Sequence, residues 1–206
     1  MRPDLNIVAG MVPRASRVLD LGCGDGTLLE HLIREKGCEG TGVEISAEGF
    51  HACVARGVPV MVADIDQGLA DFEDDAFDVV ILSQTLQATH RPALVLQEMM
   101  RVGRVGIVSF PNFGHWRLRA SLALGGRMPC SRALPYRWYQ TPNIHLCTLV
   151  DFDELVRLED LRTLRRVLLD DRGGLAGRAA HRRPNLLAGG AAYLLTSRDA
   201  GGAPAA

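Results

Sequence analysis

The stretch Val18-Leu19-Asp20-Leu21-Gly22-Cys23-Gly24-Asp25-Gly26 decides the fold. An apolar run that ends in an acid and a glycine cluster is how a buried parallel strand meets a tight turn. The next segment, Thr27 to Lys36, carries Leu28, Leu29, Leu32 and Ile33 at helical spacing, with Gly37 placed to stop it. Strand, glycine turn and helix start together let a ligand approach the backbone at the switch point of an open sheet. Outward from this unit the alternation repeats. Strands are predicted at 40–45, 59–63, 77–83 and 105–110, the last stopped by Pro111, and helices at 47–56 and 92–102. Such alternation predicts a mostly parallel sheet with helices on both faces, joined by right-handed crossovers.

Beyond Asn112 the pattern changes. Residues 112–147 show no simple period apart from a short helix at 115–124, and they read as an insertion over the sheet edge. Thr148 followed three residues later by Asp151 has the spacing of a capping box, opening a helix through Leu158. Residues 163–169 and 191–197 complete a seven-stranded α/β sheet. The Gly- and Arg-rich run 170–184 is expected to be a mobile loop and 199–206 a disordered tail, leaving one domain over 1–198.

Composition narrows the function. The chain of 206 residues is 47% hydrophobic and 23% charged with a net charge of -1, which suggests neither a nucleic-acid nor an anionic-membrane surface. No apolar run is long enough to span a bilayer and no signal core follows the amino terminus, so a cytoplasmic location is expected. The five cysteines are scattered and never form C-x-x-C, which reads as reduced thiols. His115, Cys130, His145 and Cys147 match no standard metal spacing, and no metal is expected.

The glycine turn is acidic. A dinucleotide fingerprint would place Gly or Ala where this chain has Thr27, and would set a diphosphate against Asp20 and Asp25. A ligand bearing an ammonium and a sulfonium suits the turn better, with Asp20, Gly22, Cys23, Gly24, Asp25 and Gly26 around it. Asp25 could equally cap the following helix. Glu44, twenty residues after Gly24 at a strand end, can accept from both hydroxyls of a ribose, with Ile45 beside it. Asp64 can accept from an adenine amino group while Ile65 packs on the ring, or it is simply a loop acid. Ser83 and Gln84, after the fourth strand, would border a reactive methyl group.

These residues resemble those of class I S-adenosylmethionine-dependent methyltransferases, and the resemblance implies a Rossmann-like fold binding S-adenosylmethionine or S-adenosylhomocysteine. A closer resemblance runs through Met1-Arg2-Pro3-Asp4-Leu5, Leu82-Ser83-Gln84-Thr85-Leu86-Gln87, Ser109-Phe110-Pro111-Asn112-Phe113-Gly114-His115-Trp116 and Thr141-Pro142-Asn143-Ile144-His145-Leu146-Cys147-Thr148. These strings are similar to the bacterial methionine-biosynthesis family MetW. That resemblance implies an accessory subunit that activates homoserine O-acyltransferase (MetX), with an autonomous small-molecule methyltransferase as the alternative. No Asn-Pro-Pro-Tyr follows the fourth strand, which argues against nucleic-acid amino methylation. Catalytic residues stay unassigned. His115 and His145 are the candidate bases, each also readable as structural, and Cys23 reads as packing. Six of the eleven aromatic residues lie between Phe110 and Tyr139, interleaved with arginines, which fits either an interface or a lid over the cofactor.

Overall fold

The structure, a computed structural model, describes residues 1–131 and 136–198. It opens with α1 (Pro3–Met11), then runs β1 (Arg17–Leu21), α2 (Thr27–Lys36), β2 (Glu39–Glu44), α3 (Ala47–Arg56), β3 (Val60–Val62), β4 (Phe77–Ser83), α4 (Pro92–Val102) and β5 (Gly103–Pro111). After α5 (Trp116–Gly125) come α6 (Leu149–Leu158), β6 (Leu161–Leu169), α7 (Arg178–Arg182), α8 (Pro184–Leu187) and β7 (Gly190–Ser197). The strands form one sheet in the order β3-β2-β1-β4-β5-β7-β6. Pairing is parallel from β3 to β5, while β7 lies antiparallel between β5 and β6.

Period-two alternation divides the core between the two faces. Val18, Val79, Ile81 and Ile107 meet Val8 of α1 and Leu28, Leu29 and Leu32 of α2 on one side. Leu19, Val80, Leu82, Val108 and Phe110 meet Leu96 and Met99 of α4 and Phe152 of α6 on the other. The reversal from the β1–β2 to the β1–β4 crossover leaves a crevice at the carboxyl ends of β1, β2 and β4, which is where open sheets hold ligands.

One element is new and two expectations change. Helix α1 had no clean apolar stripe to betray it; it forms because Pro3 starts a turn and because Val8 and Ala9 bury against α2 and the sheet. The run 170–184 is not a loop throughout. Asp170 Oδ1 accepts from the backbone N–H of Arg172 at 2.8 Å and Gly174 at 2.9 Å, Leu175 bridges to Leu169, and α7 follows with Ala180 buried. Strand β5 runs through Pro111, which is tolerated at a strand end, where it pairs with Gly190. The expected tail at 199–206 lies outside the described residues.

The capping box at Thr148 forms as read. The Thr148 hydroxyl accepts from the Asp151 backbone N–H at 3.3 Å, and Asp151 Oδ2 accepts from the Thr148 N–H at 3.0 Å. It aims Phe152 between Phe110 and Tyr193, with ring centroids 4.6 and 4.7 Å away, while the Tyr193 hydroxyl donates to Asp153 Oδ1 at 2.9 Å. Phe152→Ala is expected to lose about 3–5 kcal/mol in urea unfolding and Thr148→Ala only about 1 kcal/mol, because the first opens a cavity and the second removes one cap. Equal losses would mean that the box, not the aromatic trio, holds α6 on the sheet.

Candidate cofactor site

The glycine turn is held by its neighbouring strand. The Gly22 and Cys23 N–H groups both donate to the Val43 carbonyl, at 2.8 and 3.1 Å, so the chain leaving β1 is pinned to the end of β2. Gly22 has φ +69°, and a Cβ there would lie 2.5 Å from Thr85 Cγ2, so both conformation and space demand glycine. The last residue of β2, Glu44, is 8% exposed. Its Oε2 accepts from Gly24 N–H at 2.8 Å and its Oε1 from Ser46 N–H at 2.9 Å. Each oxygen keeps a further lone pair.

Asp20 lies beneath this turn with 2% exposure. Burial, and then the charge of Glu44, push its carboxyl up to about 7. No cation pairs with it among the described residues. A buried, unpaired carboxylate beside a second acid is a costly arrangement that a bound cation would relieve.

Two contiguous cavities share Gly22, Gln84 and Thr85 and make one trough. The part beside Glu44, Ile45, Asp64 and Ile65 has a volume of about 410 Å³, and the part beside Asp20, Cys23, Gly24, Asp25 and Ser83 about 780 Å³. Asp64 caps a short 3₁₀ turn, accepting from Asp66 N–H at 3.0 Å and from Gln67 Nε2 at 3.2 Å. Asp25 accepts from the Thr27 N–H and hydroxyl at 3.1 and 2.7 Å and from Arg56 at 2.9 Å. Partial burial alone would raise its pKa, but these donors outweigh burial and hold the carboxyl below the usual range. Asp25 therefore steadies the start of α2 and also lines the trough. The Ser83 and Ser109 hydroxyls lie 3.0 Å apart at the ends of β4 and β5.

Of the predicted site residues, Asp20, Gly22, Cys23, Gly24, Asp25, Glu44, Ile45, Asp64, Ile65 and Ser83 line the trough. Gly26 does not; it is the left-handed residue that caps α2, its N–H donating to the Cys23 carbonyl at 3.1 Å to close the turn before the helix. Neither candidate base lies on the trough. His115 borders a separate cavity with Asn112, Arg117 and Asp171, its pKa lowered by burial and then by Arg117. His145 is exposed. Cys23 sits 3.6 Å from Cys53, and burial followed by the Asp20 charge raises its thiol, which disfavours a nucleophilic thiolate. Among the described residues no group of three His, Cys, Asp or Glu side chains is arranged to hold a metal ion.

Sequence reasoning missed Arg2 and Leu5, which tertiary packing brings to the trough rim, and Asp66, whose carboxylate accepts from the N–H groups of His90 and Arg91 at 2.9 and 2.8 Å. The spacing Asp66 to His90-Arg91-Pro92 carries no local signal, although Pro92 at the start of α4 marks where such an acceptor would be wanted.

The donor set fits S-adenosylmethionine. Carboxylate oxygens at the end of β2 suit ribose hydroxyls, Ile65 offers an apolar face for a base, and unpaired Asp20 suits a cationic amino acid end.

Comparison with known proteins bears on the fold and the family. The solved structure of a methyltransferase from Thermotoga maritima, titled a possible histamine N-methyltransferase, superposes with a TM-score of 0.68 at 17% identity, over 95% of this chain and 88% of that one. A [4+2]-cyclase, SpnF, superposes at 0.65 with 19% identity, over 94% of this chain and 79% of that one. Likeness at such identity establishes the class I methyltransferase fold, and the cyclase illustrates that the fold alone does not fix the chemistry. A bifunctional methionine biosynthesis protein MetXA/MetW from Rhodopirellula baltica is 38% identical over 162 residues, which is 74% of this chain and 26% of that protein. The chain thus spans about a quarter of that relative's length. The family model for the methionine biosynthesis protein MetW matches residues 2–195, so this chain, with its acidic glycine turn and its trough at the switch point, belongs to the MetW family.

Proposed function

We propose that the protein binds S-adenosylmethionine or S-adenosylhomocysteine in the trough and serves homoserine O-acyltransferase as an accessory subunit, with cofactor occupancy as the signal. The observation that carries the cofactor reading is Glu44, tied to the glycine turn yet facing the cavity with acceptor capacity to spare. The partner reading is supported by the relative whose name joins MetXA to MetW in one chain. Here Glu44 would hold the ribose, Asp64 and Ile65 the adenine, Asp20 the ammonium, and Ser83 and Gln84 would border the sulfonium. The bound group supplies a methyl sulfonium. Neither histidine considered as a base lines the trough, which favours a sensing role over base-assisted transfer.

A connection from the trough to the surface supports the signalling part. Residues 85–89, which include a 3₁₀ turn at Leu86–Ala88, contribute Thr85, Ala88 and Thr89 to the trough. The carbonyl of Gln87 in that turn accepts from the N–H groups of Ile144 and His145, at 2.8 and 3.0 Å. These residues continue the segment bearing Tyr136, Trp138 and Tyr139, which are 51%, 72% and 58% exposed. A ligand that shifts the turn would shift this segment, and it would alter partner affinity only by its differential affinity for the two arrangements.

Glu44→Ala is expected to weaken S-adenosylhomocysteine about tenfold to a hundredfold in titration calorimetry, the equivalent of about 1.5–3 kcal/mol for hydrogen bonds to a charged acceptor. An undiminished affinity in a folded variant removes Glu44 from the site.

Asp20 gives a pH test. Its folded pKa, about 7, stands above the ordinary 3.8, so the folded protein holds a proton that the unfolded chain loses between these values. Ligand-free stability should therefore fall as pH rises through that window. S-adenosylmethionine, a cation, should bind more tightly as pH rises through about 7 and Asp20 ionises. Asp20→Asn should raise the melting temperature at pH 8 while flattening the pH dependence of binding. A melting temperature independent of pH in both proteins would refute the burial argument.

Trp138→Ala tests the partner. It should cost the complex with homoserine O-acyltransferase about 2 kcal/mol or more while leaving cofactor affinity and folding intact, and wild-type partner affinity should differ with and without S-adenosylmethionine. Loss of cofactor binding in Trp138→Ala would indicate a lid, and equal partner affinities would end the signalling role.

A further inference from the structure

A third cavity, of about 460 Å³, opens beside the trough and meets it at Gln84. Its wall draws on distant pieces of the chain, among them the start of α1 at Arg2 and Asp4, the turn after β4 at Gln84 and Gln87, the segment holding Tyr136 and Asn143, and the 170–173 turn. Its volume is that of a small-molecule pocket.

Gln87 lines this cavity, and one of its atoms is out of place for a purely structural role. Gln87 is 6% exposed, and its Nε2 donates to the Gln84 carbonyl at 2.8 Å, which fixes which way the amide points. Its Oε1 is buried without a hydrogen-bond partner, the single such side-chain atom among the described residues. Leaving an acceptor in that state is costly, and a ligand N–H or O–H would remove the cost. Beside it Gln84 is held at φ +58°, a conformation that non-glycine residues keep only where the surroundings enforce it.

The charges of the wall are partly matched and partly not. Asp4 pairs with Arg2 at 3.4 Å and Asp171 with Arg117 at 3.1 Å. Asp170 spends Oδ1 on two backbone N–H groups of its own turn. Arg172 is exposed and its guanidinium has no ion pair among the described residues. The pocket thus offers an unpaired cation, an orphaned acceptor and nearby acids, with uncharged amide and hydroxyl groups of Gln84, Asn143 and Tyr136 between them. A simple anion would meet the acids and a simple cation would meet the arginines. A molecule carrying both charges meets neither objection.

We infer that this cavity is a second ligand site, for a polar zwitterion of the α-amino-acid class whose carboxylate meets Arg172 and whose N–H meets Gln87 Oε1. The site does not depend on the cofactor reading, since its recognising groups, Gln87 and Arg172, lie outside the trough.

L-glutamine is a suitable probe, with glutaramate as its deaminated and 4-aminobutanamide as its decarboxylated counterpart, each titrated by NMR into the full chain with and without S-adenosylhomocysteine. L-glutamine should shift resonances of the Gln84–Gln87 turn and the 170–173 turn saturably, and each counterpart should bind at least about tenfold more weakly. Arg172→Ala, at an exposed unpaired position, should keep the melting temperature and weaken L-glutamine about tenfold, and Gln87→Met, which also removes the bond to the Gln84 carbonyl, should weaken L-glutamine as much. No saturable shift with L-glutamine, equal binding of either counterpart, or unchanged affinity in Arg172→Ala overturns the inference. If L-glutamine binds while S-adenosylhomocysteine does not, the cofactor reading falls and this site stands.

Discussion

The rest of the site depends on one carboxylate. Glu44 reaches from the end of β2 to the N–H of Gly24 in the neighbouring turn, and with its other oxygen closes its own chain onto Ser46 before α3 begins. Hydrogen bonds to an ionised acceptor are about twice as strong as neutral ones, and burial strengthens them further. The tie therefore sets how far the glycine turn can stand off the sheet, and with it the floor of the trough. It also dictates sequence elsewhere. A Cβ at Gly49 would lie 2.8 Å from Glu44 Cγ and 2.9 Å from the Gly24 carbonyl, so the first turn of α3 can come this near only because residue 49 has no side chain. Ser46, whose hydroxyl accepts from Gly49 N–H at 3.1 Å, completes the junction as the cap of α3.

Against that well-satisfied acid stands Asp20, buried beneath the same turn with no cation to meet it. An apolar residue there would continue the run of β1 and favour the fold. Instead a charge-bearing group is held where ionisation is penalised, next to Glu44, and the cost falls on the empty protein. Gln84, in a left-handed conformation at the meeting point of three cavities, is a second departure from what folding alone would choose. Both lie on the crevice. Left-handed non-glycine residues also occur at Ala15, Asp75 and Asp160, each just before a strand, so it is the buried acid beside the turn, more than the backbone, that marks this edge as a candidate site.

Much of this was legible in the sequence because it is written locally. The contiguous apolar run Val79-Val80-Ile81-Leu82 marks a strand buried on both faces, the period of 3.6 in Leu28, Leu29 and Leu32 builds α2, and Thr148 with Asp151 announces α6. The acids at strand ends could be placed on one edge because parallel strands all point one way. What was not legible depends on contacts between distant segments. Helix α1 is fixed by burial of Val8 and Ala9 rather than by its own pattern, and the antiparallel insertion of β7 between β5 and β6 has no signal in either strand alone. The 170–184 run looked mobile from its glycines and arginines. The order of its first turn comes from Asp170, a single side chain that gathers the N–H groups of Arg172 and Gly174.

The aromatic-rich region shows how a compositional cluster can dissolve into separate physical roles. Phe110 is fully buried, with its ring 4.6 Å from Phe152 and 5.8 Å from Tyr193, and belongs to the core. Tyr136 borders the third cavity. Trp138 and Tyr139 meet edge to face at 5.6 Å yet stay mostly exposed and line none of the cavities described. A lid would turn its large rings inward over the trough, where burying each one would gain apolar contact. These rings are instead left in water with arginine beside them, Arg137 bonding Tyr139 at 3.0 Å. The sequence could count these residues but could not say which way they point. The same segment hangs from the Gln87 carbonyl, so it is bonded to the turn that lines the trough.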